Sequence, residues 1–373
     1  MRKGDLSILI PDGEEGNLAL RVMCCLRRAG GFQVHILSRD SGSKARFSRY
    51  CTSFTHFDDT LSHDRIMEAI SRTAKQVNAR ILLPVTEYGI RLVAARSKEL
   101  EDLIVTSVPR IDAFDTAIDK WRLANFMQTH DIPTPHTILA RADTEFSEHL
   151  DKLTFPVLLK PTRNTNGKGI RQFDDRVSLV RFLEDQRSEA FEYIIQNMVQ
   201  GYDIDCSVVC KDGEILAYTI QKGIIPNLRR FSPPFAIEFL RHDEVLRVAR
   251  KLLAALCWNG VAHLDMVVDE ANGRVMVLEL NARYWASLLG SLSAGVNFPY
   301  LAVIAGLGQT LPQVGYRHIR YIEPYAELKL LMRRPLQHHA ERFRFSETGW
   351  RYLLADPLPF LAGKAIALWR SVK

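Results

Sequence analysis

Residues 260–283 read GVAHLDMVVDEANGRVMVLELNAR. Two apolar runs flank a polar turn near Glu270 to Arg274, the pattern of a β-hairpin. Strand side chains alternate, so Glu279, Asn281 and Arg283 share one face. Folding the hairpin at Asn272 sets Val267 opposite Val277, Asp265 opposite Glu279, and His263 opposite Asn281. Cross-strand Cβ atoms lie about 5 Å apart. Asp265, Glu279 and Asn281 therefore form an all-oxygen cluster, the donor set Mg²⁺ prefers. Two carboxylates that close repel unless a cation lies between them. An exposed polar hairpin face is the alternative these residues alone leave open. His263 reads as a packed or supporting histidine rather than a ligand.

Upstream lie further pieces of charge chemistry. Lys160 ends the apolar strand Val157-Leu158-Leu159 and precedes Pro161. The loop TRNTNGKG that follows holds Gly167, Lys168 and Gly169, and such a loop lets backbone N–H groups approach phosphate oxygens. A lysine in an ordinary turn is the competing reading. The stretch IIQNMVQGYDID runs from an apolar strand into an extended hinge at Gln196, Asn197 and Met198, then to Asp203. A hinge with exposed backbone groups can read an adenine edge, and a carboxylate just beyond it can take ribose hydroxyls.

The rest of the chain frames these pieces. At 373 residues, two or three domains are expected. With 47% hydrophobic and 25% charged residues, the composition is globular rather than disordered. A net charge of +6 suits an anionic small ligand, but no Lys/Arg block is interleaved with aromatics, so no nucleic-acid partner is expected. Six cysteines form no CxxC pair and no zinc spacing, and are expected to be free thiols. The N-terminus lacks a signal-peptide pattern and no run is long enough to span a membrane, which gives a cytoplasmic expectation. Strands at Leu6–Ile10, Phe32–Leu37, Ile81–Val85 and Ile104–Val105 alternate with helices at Leu18–Ala29, Asp64–Val77 and 89–96, predicting an open parallel α/β sheet over 1–111. One helix is expected over 112–130, then an extended Pro-rich linker, then antiparallel strands with Asp212-Gly213 as a hairpin turn, and a helix over 242–257.

Lysine strand, glycine loop, hinge, acid, then Asp…Glu-x-Asn-x-Arg: in that order these residues resemble the ATP-grasp superfamily, from about Asp112 to Gly306. Within it the chain looks like bacterial ATP-dependent carboxylate–amine ligases akin to the large subunit of carbamoyl phosphate synthetase. The resemblance implies an N-terminal Rossmann-like pre-ATP-grasp α/β domain over 1–111. An α+β ATP-grasp domain of two subdomains clamping the nucleotide would follow over 112–312, with a lid at about 135–198. A helical, apolar and basic extension would cover 313–373. It implies ATP and Mg²⁺, with two ions expected and Mn²⁺ as an alternative. Lys120 and Lys160 would bind phosphates under a loop carrying Gly167, Lys168 and Gly169. Gln196, Asn197 and Met198 would face adenine, Met198 through its backbone, and Asp203 would hold ribose. Asp265, Glu279 and Asn281 would hold magnesium, and Arg283 and Lys160 would serve catalysis. Gln196 and Asp203 replace glutamates usual in the family, and the phosphate loop is glycine-poor.

The reaction implied is activation of a substrate carboxylate as an acyl phosphate, then attack by an amine, with release of ADP and phosphate. A carboxylase or carbamoyl-phosphate-type enzyme, and a non-catalytic nucleotide-binding module, are the alternatives. Arg229, Arg230 and Tyr284 are the candidates for the substrate side, with Trp285 beside them. For the apolar, basic tail, docking on the protein's own core is the default expectation. Sealing a homodimer and lying on a membrane surface are the other two.

Overall fold

A computed structural model of the chain describes residues 6–11, 16–58, 62–100, 107–142, 150–163, 169–186, 191–227, 231–333 and 343–363. The apolar run Leu6–Ile10 (β1) is buried along its length, as a central parallel strand must be. It pairs in parallel with Phe32–Ser38 (β2) on one side and Ala79–Leu82 (β4) on the other, and Ser53–His56 (β3) extends the sheet beyond β2. Helices Gly16–Ala29 (α1), His63–Gln76 (α2) and Glu87–Ala95 (α3) complete the strand–helix alternation. The sequence gives no sign of β3 because its four half-exposed residues form a polar edge strand without an apolar run. The expected strand at 81–85 begins and ends earlier, since Pro84 has no N–H to give a ladder. Ile104–Val105 lies outside the described residues.

The helix expected over 112–130 is two helices, Ile111–Ala117 (α4) and Lys120–Thr129 (α5). Asp119 breaks it. Its carboxylate accepts from the backbone N–H groups of Trp121 and Arg122, which makes it the N-cap of α5 rather than an interior residue. Beyond the linker, Thr137–Arg141 (β5), Val157–Pro161 (β6), Arg171–Phe173 (β7) and Glu192–Asn197 (β8) form a four-stranded antiparallel sheet of order β5-β8-β6-β7. Helix Arg176–Asp185 (α6) buries Leu179 and Leu183 in the cluster of this sheet.

The largest sheet has six strands in the order β13-β12-β9-β10-β11-β14. They are Gly201–Lys211 (β9), Glu214–Ile225 (β10), Ala236–Phe239 (β11), Gly260–Asp269 (β12), Val275–Asn281 (β13) and Arg320–Ile322 (β14). Asp212 and Gly213 join β9 to β10 with φ of 49° and 83°, the left-handed pair a tight hairpin requires. Helix Asp243–Ala255 (α7) shares with one face of this sheet a core holding Ile204, Cys206, Val208, Leu264 and Met266. Helices Leu288–Ala294 (α8), Phe298–Gly306 (α9), Pro324–Arg333 (α10) and Trp350–Ala355 (α11) follow. Residues 313–373, expected to be helical, thus also supply β14, which pairs with β11. A further cluster is continuous from β1 and α1 to Val209, Ala217 and Phe239 of the six-stranded sheet, with Trp285 and Leu301 between. All six cysteines are free, four of them buried.

The hairpin β12–β13 has two of its three expected pairs: His263 faces Asn281 and Asp265 faces Glu279. The third is corrected. Val267 faces Met276 and Met266 faces Val277, because the register shifts between Asp265 and Met266. Strict alternation would put Val275, Val277, Glu279 and Asn281 on one face. A bulge at Leu278 separates them, so both valines enter the core fully buried while Glu279 and Asn281 keep the polar face. The linker fastens the bulged strand: Val277 donates its N–H to Pro133 O at 2.9 Å, and Thr134 Oγ1 donates to Val277 O at 3.1 Å.

Candidate active site

Register across the six-stranded sheet builds the site. One row runs Gln221, Asp205, Asp265, Glu279 over β10, β9, β12 and β13. Two residues along runs a second row: Thr219, Ser207, His263, Asn281. Residues two apart on a strand share a face, so eight polar side chains form a grid opposite the apolar face under α7. Gly201 sets the start of β9: a Cβ there would lie 1.9 Å from Val268 O, so only glycine allows this approach to β12.

Within the grid the side chains bond to one another. Asn281 Nδ2 donates to Asp265 Oδ2 at 3.2 Å, and Arg283 Nη2 donates to Asn281 Oδ1 at 3.4 Å. Gln221 Nε2 donates to Asp205 Oδ2 at 2.9 Å, and Ser287 Oγ donates to Gln221 Oε1 at 2.8 Å. Ser207 Oγ meets His263 Nδ1 at 2.9 Å, and His263 Nε2 lies 3.4 Å from Asp265 Oδ1 and 3.8 Å from Asp205 Oδ2. The His263 ring stacks on Trp285 with centroids 5.4 Å apart. Burial, with Arg283 nearby, pulls the imidazole down to about 3, so it is neutral at physiological pH. Burial pushes the Asp205 carboxyl up to about 7, against the Gln221 hydrogen bond. The Asp265 carboxyl is raised well above its usual range by burial and by Asp205 and Glu279. Crowded buried acids of this kind are stabilised in their charged form by a bound cation.

Two lysines reach this region from other elements. Lys120, the first residue of α5, places Nζ 3.3 Å from Glu279 Oε1. Its backbone N–H donates to Thr162 O just past β6, and Arg163 Nε lies 3.2 Å from Asp119 Oδ2, so the start of α5 is tied to the end of β6. Lys160 on β6 is 7% exposed and donates to Gln196 Oε1 at 2.7 Å. Burial, helped by nearby Lys120, lowers the Lys160 ammonium to about 8, while Glu279 pulls the other way. Lysine only donates, which fixes the Gln196 oxygen toward it and the Gln196 nitrogen toward Thr137 Oγ1 at 2.9 Å.

The structure therefore brings together Lys120, Glu279, Asp265, Asn281 and Arg283 by direct contacts, with Lys160 within electrostatic reach of Glu279 and Asp265. Asp203 lies two residues before Asp205 on the same face of β9, and Lys160 acts on it electrostatically. Gln196, Asn197, Met198 and Tyr284 have other neighbours in this structure. Gln196 was expected to face adenine, but a buried amide must satisfy both its ends, and Lys160 and Thr137 take them. Met198 gives its N–H to Pro156 O and Asn197 gives its N–H to His136 O. Asn197 also turns its side-chain oxygen to Thr154 N. Tyr284, expected on the substrate side, is 1% exposed and packs in the core with Trp285, because aromatic rings after the strand close the cluster beneath α8. Gly169 has φ +77°, a conformation suited to glycine. Gly167, Lys168, Arg229 and Arg230 lie outside the described residues.

Sequence reasoning missed Asp205, Gln221, Ser287 and Glu87. Asp205 offered a signal in its i, i+2 spacing from Asp203. Gln221 and Ser287 offered none, since a register shift in the β9–β10 hairpin sets Gln221 opposite Asp205 and Ser287 reaches Gln221 from just before α8. Glu87, first residue of α3, lies 3.8 Å from Arg283 Nε, so the parallel-sheet region contributes to the site. Asp205, His263 and Asp265 offer ligand atoms all within 4.8 Å of one another, a donor group that shares Asp265 with the hairpin set.

Residues 117–287 match the family model for an ATP-grasp domain. A carbamoyl phosphate synthase large chain from Methanosarcina barkeri is 24% identical over 308 residues, covering 78% of this chain and 28% of that protein. A D-alanine–D-alanine ligase from Nitrosomonas eutropha is 24% identical over 221 residues, covering 55% of this chain and 71% of that one. Among solved structures, N5-carboxyaminoimidazole synthetase from Staphylococcus aureus complexed with ADP superposes with a TM-score of 0.70 at 13% identity. It covers 90% of this chain and 87% of that one. The chain spans about a quarter of the length of the carbamoyl phosphate synthase large chains it matches.

Proposed function

Starting from the ATP-grasp domain that the chain carries across residues 117–287, we propose that it uses ATP to activate a substrate carboxylate for attack by an amine. The observation that supports this most is the convergence of Lys120 from α5 on Glu279 of the hairpin, beside the buried Lys160. Phosphoryl transfer requires positioning and charge neutralisation rather than a protein nucleophile, and this arrangement supplies both. The donor set of Asp265, Glu279 and Asn281 is all oxygen and carries two acids whose crowding favours a cation, so the residues fit magnesium. Two ions, with manganese as a substitute, are part of the proposal. Magnesium held there would offset the negative charge of the phosphates.

The chain's own residues do the rest. Lys120 and Lys160 face the phosphates with fixed positive charge. Arg283, braced by Asn281 and by Glu87, supports the transferred phosphate or the reacting carboxylate. A carboxylate oxygen attacks the γ-phosphorus, the bond to the bridging oxygen breaks, and ADP leaves. The amine nitrogen then attacks the acyl carbon, phosphate departs, and an amide forms. Asp203 is proposed for the ribose hydroxyls, and Gln196 for holding Lys160 rather than for reading the base. The working boundaries are residues 1–111, 112–312 and 313–373.

Hydroxylamine trapping tests this reading. Full chain, MgATP and a panel of carboxylates should give a hydroxamate and one ADP per product. ADP release that depends on bicarbonate alone, without a hydroxamate, would favour a second reading. The match to carbamoyl phosphate synthase large chains supports that one, with bicarbonate as the activated carboxylate.

A further inference from the structure

His263 is held from three sides within the polar grid. Ser207 Oγ lies 2.9 Å from Nδ1, and Trp285 stacks on the ring at an interplanar angle of 14°. Nε2 lies 3.4 Å from Asp265 Oδ1 and 3.8 Å from Asp205 Oδ2. Ser207 is fully buried, so its hydroxyl is no nucleophile, and among the described residues the imidazole is that hydroxyl's one partner. This decides where the ring carries its proton. Were Nδ1 the N–H, the Ser207 proton would have no acceptor in the core. With the two acids charged, as in a cation-bound site, a bare Nε2 would also face both of them. With Nε2 as the N–H, Ser207 donates to Nδ1 and the ring offers a donor to the acids. Asp265 is then gripped at both oxygens: Asn281 Nδ2 donates to Oδ2 at 3.2 Å, and the His263 N–H faces Oδ1. At 3.4 Å the second contact is longer than an ordinary hydrogen bond and acts as an electrostatic attraction.

We propose that His263 is a positioning residue for Asp265, with its Nε2–H fixing that carboxylate on the face it shares with Glu279 and Asn281. Ser207 sets the tautomer and Trp285 sets the plane of the ring. The inference rests on the magnesium set of the proposed function. Carboxylates that ligate a metal are themselves hydrogen-bonded, and losing such a partner costs about 10- to 100-fold in metal affinity. The competing role makes His263 a ligand through Nε2, together with Asp205 and Asp265. That role needs a bare Nε2 lone pair, which this tautomer removes.

Two measurements on the full chain test this. Nitrogen NMR of protein labelled with ¹⁵N-histidine reads the tautomer, the His263 signals being identified by their loss in His263→Gln. The proton should sit on Nε2 in the free protein and stay there when MgADP binds. A proton on Nδ1 alone in either state, or its loss from Nε2 on metal binding, overturns the proposal. The second measurement is Mn²⁺ binding to the ADP-saturated protein, read from the paramagnetic resonance of free Mn²⁺, beside ADP affinity without metal. His263→Leu should lower Mn²⁺ affinity by at least about tenfold and leave metal-free ADP affinity unchanged. His263→Gln, which keeps an N–H near the place of Nε2, should recover most of the loss. Equal loss of both affinities would mark a merely structural role and overturn the proposal. So would an undiminished Mn²⁺ affinity, or a Gln variant as impaired as the Leu one. Should His263→Leu unfold, the wild-type tautomer still decides. A wild-type protein that binds ADP no better with metal than without would overturn the magnesium set itself, and this inference with it.

Discussion

The two antiparallel sheets carry polar chemistry in opposite ways. On the six-stranded sheet, the rows Gln221–Asp205–Asp265–Glu279 and Thr219–Ser207–His263–Asn281 are set by strand register, and hydrogen bonds join Gln221 to Asp205, Ser207 to His263 and Asn281 to Asp265. On the four-stranded sheet, Lys160 reaches the site from a strand whose neighbours Val157 and Leu159 are core, and one amide, Gln196, holds it. A grid fails collectively when its register slips. A lone buried charge fails locally when its partner changes. The difference predicts a descending series of effects.

The largest should follow deletion of Leu278. Removing the bulge forces β13 to choose between sending Val275 and Val277 to the polar face and withdrawing Glu279 and Asn281 from it. Exposing two buried valines costs about 3 to 6 kcal/mol, at about 1.5 to 3 each. The urea midpoint should drop accordingly and MgATP binding should disappear. A deletion variant with the wild-type midpoint and intact binding would show that the bulge does not sort the two faces. Next is Glu279→Gln, which keeps shape and register but removes a charge that meets Lys120. Carboxylate-dependent ADP release should fall by about a thousandfold, with the urea midpoint nearly unchanged. An effect of tenfold or less would move the proposed metal set toward Asp205, His263 and Asp265. Lys160→Met should cost about a hundredfold in the same assay, as loss of one charge-stabilising donor does.

How much of this was legible beforehand depended on distance along the chain. The hairpin itself was legible because it is local. Its pairs Asp265–Glu279 and His263–Asn281 agree with the sequence count only because the bulge offsets a turn centre assumed at Asn272. Counted from the actual pair Val268–Val275, Asp265 would face Leu278. The bulge was not legible, since it arises from which valines the core under α7 accepts and from the linker at Pro133 and Thr134. The place of Asp205 beside Asp265 stayed hidden because β9 meets β12 across about fifty residues of intervening chain. That of Gln221 stayed hidden because a register shift between Ile215 and Ala217 moves the β9–β10 pairs off the count from the Asp212-Gly213 turn. Tyr284 misled for a related reason: an aromatic after a strand reads alike whether it lines a pocket or closes a core. The break at Asp119 was readable in principle, since Asp before a helical run is a capping signal.

A smaller effect concerns pH. With the Lys160 ammonium lowered to about 8, the free protein loses that charge as pH rises through this value. Phosphate binding favours the charged form, so MgATP affinity should hold below pH 8 and weaken above it, by up to about tenfold per unit. Calorimetry in buffers of different ionisation enthalpy should detect proton uptake on binding near pH 8.5, by the same linkage. Lys160→Met should abolish both the weakening and the uptake.

The finest test changes only the partner. Gln196→Glu replaces a neutral acceptor 2.7 Å from Nζ with a charged one. An opposite charge at that distance favours the ammonium and raises its pKa. The alkaline limb of MgATP binding should therefore move up by about a unit or more, while affinity at neutral pH changes little. Thr137 sets a modest opposing cost. Its hydroxyl donates to Pro135 O and accepts from Gln196 Nε2, so a glutamate there makes it turn its proton. A limb that stays in place would identify some group other than Lys160 as the one that titrates, and would return Gln196 to the task of reading the base.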